Sequence, residues 1–160
     1  HPLPDFSVIP SPLHPTLSFH ELVEGRPHQI GQHEVTAVAV HHTVEAVGYV
    51  ISDGTSSLLY QGDSGPTTEL WRLANRTANL EAVIVEASLP NLFSDLAVRC
   101  GHLTPELLRV ELSQLTVPTS VYAQHMKPRY ASEIMGELAV LSDPPVVPLD
   151  QGKTYIFGAS

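Results

Sequence analysis

Asp63 and Ser64 sit in Leu58–Trp71, "LLYQGDSGPTTELW", where an apolar run breaks into a polar turn. Two chemistries fit those residue types. A serine hydroxyl becomes a nucleophile when a histidine takes its proton and a carboxylate orients that histidine. An aspartate carried on a strand end can instead bridge metal ions. Nine histidines, against eight Lys and Arg combined, offer partners for either, and neutral imidazole is the commonest metal ligand. A third reading involves no chemistry: a polar strand-to-helix turn with Ser64 or Asp63 as its cap.

The serine reading is the weaker. "GDSG" resembles the nucleophile segment of trypsin-like proteases, but that segment continues with a second glycine, and this chain goes straight to Pro66. Those proteases are all-β and usually cross-linked, whereas Cys100 is the only cysteine and cannot form an internal disulfide. "PTTELWRLAN" reads as a helix over about 67–75 with Pro66 at its first position. Asp63 is therefore the stronger candidate.

The elements that must position it follow from periodicity. Residues 1–33 hold six of the fourteen prolines and read as an irregular lead-in, with a short strand expected around 17–22. Strands are expected at 34–40, 46–52, 57–61, 81–87 and 119–123, and in the terminal "VVPL" and "TYIF". "EAVIVEA" is nearly continuous in apolar residues, as in a strand covered on both faces. Helices are expected at about 92–98, in "TPELLRVELSQL" with Thr104 as N-cap and Pro105 at N1, and in "YASEIMGELAVL" with Ile134, Met135, Leu138 and Leu141 on one stripe. The fold class is α/β, a mixed sheet covered by helices.

Chemistry then collects just past strand ends. His41 and His42 follow the first long strand, Asp63 the third, and His125 the one at 119–123. Open α/β sheets bind ligands at such ends, and two histidines with a carboxylate suit Zn, Mn or Fe. His102 precedes the capped helix, where it could donate a proton to a leaving oxygen or be a simple helix-entry histidine. Lys127 and Arg129 could also meet phosphate, although a solvated loop is the better-supported role for either.

These motifs in order, "HTVEAVGYVIS", "LLYQGDSGP", "VIVEAS", "GHLTPELL" and "HMKPRY", resemble the C-terminal half of a metallo-β-lactamase-fold phosphodiesterase. The branch is the one holding ribonuclease Z and the class II-like 3′,5′-cyclic-nucleotide phosphodiesterases. The resemblance covers about residues 35–157. It implies half of an αββα sandwich over residues 34–160. It also implies His42 (or His41), Asp63 and His125 as metal ligands, with Asp63 bridging, and His102 as the catalytic residue near the leaving group. Two divalent ions, Zn or Mn with Fe as an alternative, would complete the site. The family's H-x-H-x-D-H cluster belongs to its N-terminal half and does not occur in this chain. The expectation is a chain truncated at its N-terminus, short of ligands for two metals.

Composition narrows the substrate. The 160 residues are 42% hydrophobic and 16% charged, enough for one domain with a core. A net charge of −9 argues against a nucleic-acid partner, which is held mainly through Lys and Arg. No apolar run is long enough for a membrane span. A lone cysteine fits a reducing compartment, so the expected location is cytoplasmic. The leading expectation is hydrolysis of a small cyclic nucleotide, cAMP or cGMP, in a compact pocket framed by short loops. The alternatives are a ribonuclease Z-like tRNA 3′-processing nuclease, a hydrolase of another ester or lactone, or a non-catalytic half-domain that pairs with another chain. A homodimer is a further expectation.

Overall fold

A computed structural model describes residues 5–158. A two-stranded hairpin, β1 (Pro10–Ser11) and β2 (His14–Pro15), precedes a seven-stranded sheet. The sheet comprises β3 (Pro27–Ile30), β4 (His33–Val40), β5 (Ala46–Ser52), β6 (Ser57–Tyr60), β7 (Leu80–Glu86), β8 (Ser120–Gln124) and β9 (Val146–Pro148), side by side in chain order. The pairs from β3 to β6 are antiparallel and those from β6 to β9 are parallel. Every parallel step needs a crossover. Those crossovers carry the helices: α1 (Glu69–Ala74), then α2 (Ser94–Arg99) and α3 (Pro105–Leu112), then α4 (Ala131–Leu138).

Helices α1, α3 and α4 pack on one face, so this is one sheet with one helical layer. Leu70, Trp71 and Ala74 of α1, Leu108 and Leu112 of α3, and Ile134 and Leu138 of α4 pack on Val38, Val50, Leu59, Val83, Val85, Val121 and Ala123 of the sheet. In β7 every residue but Glu81 is buried, as its apolar run requires. Thr104 caps α3 by accepting from the Leu107 N–H, with Pro105 in the first turn. On the opposite face Tyr122 meets Tyr155 and Phe157 of the C-terminal segment, ring centroids 6.2 and 5.1 Å away.

Several expected elements differ. Residues 17–22 form no strand: the free edge of β4 is taken by β3 and by Gly25, whose N–H donates to Ala37 O. "TYIF" is not a strand either, because its aromatic rings dock on Tyr122 without backbone pairing. Helix α1 starts after Thr68, not at Pro66, since the Thr67 N–H is used outside the helix by Glu111. Met135 leaves the α4 stripe and is 41% exposed. Among the described residues no helix is long and apolar enough to cross a membrane.

The β5–β6 hairpin that leads to Asp63 turns on Asp53. Its carboxylate accepts from the Thr55 and Ser56 N–H groups, both at 2.8 Å, and from the Thr55 hydroxyl. Those donors, the Ser56 N–H foremost, pull its pKa from 3.8 down to about 2. A depressed carboxylate pKa means the turn is held fully above pH 3.8 and released as pH falls through about 2. The Thr55 and Ser56 amide resonances should therefore move together as pH passes through about 2 in an NMR titration. Asp53→Ala should remove that transition.

Candidate active site

Strands β4, β6, β7 and β8 run in one direction, because β5 reverses between β4 and β6 and the rest are parallel. Their carboxyl ends share one edge of the sheet. His41 and His42 follow β4, Asp63 follows β6, Glu86 ends β7 and His125 follows β8. His102 arrives from the turn before α3. The ring centroid of His102 lies 5.0 Å from that of His42 and 5.5 Å from that of His125. His125 Nε2 is 3.4 Å from Asp63 Oδ2. Four residues from distant parts of the sequence thus meet in one patch.

Beneath the patch is Glu86, which sequence reading passed over. Its side chain is completely buried. It accepts from the Ser64 N–H at 2.7 Å, from His102 Nδ1 at 2.9 and 3.1 Å, and from the Leu103 N–H at 3.3 Å. The two backbone groups can only donate, so the carboxylate is an acceptor throughout and His102 donates from Nδ1–H. Nε2 of His102 is left free for proton transfer. The signal was present in "VIVEAS": a charged residue in a strand buried on both faces needs partners.

His42 is oriented in the same manner. Its Nδ1 donates to the Gly101 carbonyl at 2.8 Å, leaving Nε2 as a lone-pair donor, the arrangement typical of histidine ligands. His41 is exposed, and only its backbone carbonyl contributes, accepting from the Gly65 N–H at 2.7 Å. His125 has φ +63°, in the left-handed region that non-glycine residues rarely occupy. Such strain clusters at functional sites. Ser64 is fully buried and donates its hydroxyl to Gly65 O, which leaves it no histidine to activate it. Lys127 and Arg129 are exposed just beyond His125, and neither has a salt-bridge partner among the described residues. The Arg129 guanidinium lies 5.7 Å from the Tyr130 ring centre. A cavity of about 650 Å³ opens beside His42, lined also by Glu24, His41, Thr43 and Glu45.

The donor types fit a divalent metal ion. His42 offers a free Nε2 lone pair, while Asp63 Oδ2 and His125 Nε2 lie at a separation common between ligands of one ion. They do not close a site alone: among the described residues no three His, Cys, Asp or Glu side chains cluster tightly enough to hold a metal. The patch is an open ligand set on one side of a potential centre.

Two glycines make this closeness possible. A Cβ on Gly101 would fall 2.8 Å from His42 Cα and 2.9 Å from its Nδ1, and Gly101 has φ +66°. A Cβ on Gly65 would stand only 3.3 Å from Gly101 C and Cα. Gly101→Ala should destabilise the fold by about 1–2 kcal/mol from its backbone angle alone, and it should displace His42. Gly136→Ala in α4, where a Cβ meets nothing within 4 Å, should stabilise by about 0.5–1 kcal/mol. Denaturant unfolding of both variants tests the opposite signs.

Residues 3–126 match the family model for the beta-lactamase superfamily domain. No curated protein sequence matches the chain. Among solved structures it is similar to the metallo-β-lactamase fold protein YhfI from Bacillus subtilis (TM-score 0.69, 15% identity, 82% of this chain and 53% of that one). It is also similar to Zn²⁺-bound PqqB from Methylobacterium extorquens (0.60, 14%, 82% and 53%). A third is the short form of human tRNase Z (0.57, 18%, 77% and 42%). At these identities the likeness is one of fold, and the chain spans about half the length of those proteins. The mixed sheet with one helical layer and the match over residues 3–126 lead to one conclusion: the chain belongs to the beta-lactamase superfamily domain family, with a metallo-β-lactamase fold.

Proposed function

We propose that the chain is the C-terminal half of a metal-dependent hydrolase that cleaves a phosphodiester bond. The observation that carries this reading is His102: Nδ1 is tied to a buried carboxylate, Nε2 is free, and its ring lies between those of His42 and His125. His42, Asp63 and His125 would hold divalent ions. When bound, those ions supply charge neutralisation for the phosphate.

The chain's own residues perform the rest. His102 holds a proton on Nε2 and gives it to the departing oxygen, while Glu86 keeps Nδ1 protonated and steadies the imidazolium before transfer. The Glu86 anchor to the Ser64 N–H fixes the turn that carries Asp63. Lys127 and Arg129, free of acidic partners, meet the phosphate oxygens. A small 3′,5′-cyclic nucleotide suits the net charge of −9 better than an RNA backbone does. Likeness in fold to human tRNase Z keeps a tRNA 3′-processing nuclease as the second reading.

Assays of the parent protein with added Mn or Zn, using cAMP, cGMP and a tRNA precursor with a 3′ trailer, separate the two. The expected result is cyclic-nucleotide hydrolysis, and trailer cleavage without it would promote the nuclease. Asp63→Ala should abolish turnover, whereas Ser64→Ala should retain most of it, losing a hydrogen bond of about 0.5–1.5 kcal/mol. His102→Ala should lower kcat by about 10²–10⁴-fold with metal content unchanged. A p-nitrophenyl phosphodiester, whose leaving group needs no proton, should lose far less. Equal losses on both substrates would remove His102 as the acid.

A further inference from the structure

A second buried carboxylate, Glu111 near the end of α3, is only 5% exposed. Its Oε2 accepts from the Thr67 N–H and from the Trp71 indole N–H, both at 2.8 Å. Gln114, one turn on, donates to Thr67 O and to Glu111 Oε1, each at 3.3 Å. The residues so held are the far end of the turn that begins with Asp63. Its near end is held by Glu86 at Ser64 and by the His41 carbonyl at Gly65. The Asp63 side chain is 42% exposed, and among the described residues its one basic neighbour within 4 Å is His125. Its position therefore depends on how firmly the following residues are fixed.

The path matters because of where α3 starts. His102 lies three residues before Pro105, the first residue of α3, and Glu111 lies one residue before its end. One short, capped helix therefore connects the group bonded to Glu86 with the group that clamps the Asp63 turn. An α-helix is stiff along its axis, with a fixed rise per residue. A charged acceptor serving two donors in a buried site is strong, and losing it leaves both donors unsatisfied.

We propose that Glu111 is a positioning residue for Asp63: it fixes the Asp63–Thr68 turn through Thr67 and Trp71, and α3 thereby sets the spacing between Asp63 and His102. The inference rests on the hydrolase reading for the role of Asp63, but the clamp can be tested without any substrate.

The experiment compares the unaltered chain with Glu111→Gln, Trp71→Phe and, as an exposed control, Glu133→Gln. Amide hydrogen exchange is the first readout. Glu111→Gln should speed exchange at Gly65, Thr67 and Thr68 by about tenfold or more while Val83–Val85 of β7 stay within about twofold. The sole tryptophan gives one indole N–H resonance, which should shift as its charged acceptor is lost. Trp71→Phe should produce a smaller rise at the same turn amides, and it decides the matter if Glu111→Gln does not fold. Zn²⁺ titration is the second readout: affinity should fall about tenfold in Glu111→Gln, as for other groups that orient a ligand, and not in Glu133→Gln. Equal acceleration in the turn and in β7 would mean a purely structural role and overturn the proposal. So would a loosened turn with unchanged Zn²⁺ affinity. If the unaltered chain, with its open ligand set, binds no measurable Zn²⁺, the ratio of turn to β7 exchange alone decides the clamp.

Discussion

The bond between Glu86 and His102 is the constraint on which the site depends. A carboxylate without solvent contact is tolerated only when donors replace its water, and Glu86 has three: an imidazole and two backbone amides. The donors come from two segments that are far apart in sequence. The Ser64 N–H belongs to the Asp63 turn, while His102 and the Leu103 N–H belong to the entry to α3. A single buried charge therefore sets both segments at once, and removing it would release both.

The sheet explains why such a centre can form. Because β4, β6, β7 and β8 share a direction, their carboxyl ends deliver His42, Asp63, Glu86 and His125 to one edge without any long loop. Fine adjustment comes from backbone angles. His125 takes a left-handed conformation as it leaves β8, and Gly101 takes one where a side chain would strike His42. The first retains an unfavourable angle in an imidazole-bearing residue; the second removes every side-chain atom so that two histidine segments can approach.

Much of this was legible in the sequence. The β4–β8 strands and helices α3 and α4 follow from periodicity, and Thr104-Pro105 marks the start of α3. Placing His42, Asp63 and His125 at strand ends was enough to expect them near one another. Other features left no local trace. Glu86 is one acidic letter in an apolar strand, and its importance comes from contacts with residues 16 and 22 positions away. Thr67 belongs to a helix-like stretch, but its N–H is claimed by Glu111, 44 residues on. The strand expected at 17–22 failed because pairing needs a vacant edge, and β3 already fills it.

The most direct test of the account is the tautomeric state of the histidines, read by long-range ¹⁵N–¹H NMR on the uniformly labelled chain near neutral pH. His102 and His42 should each carry a proton on Nδ1, and Glu86→Gln should disturb His102 while leaving His42 as it was. A His102 protonated on Nε2 alone, or one indifferent to Glu86→Gln, would contradict the claim that Glu86 organises the site.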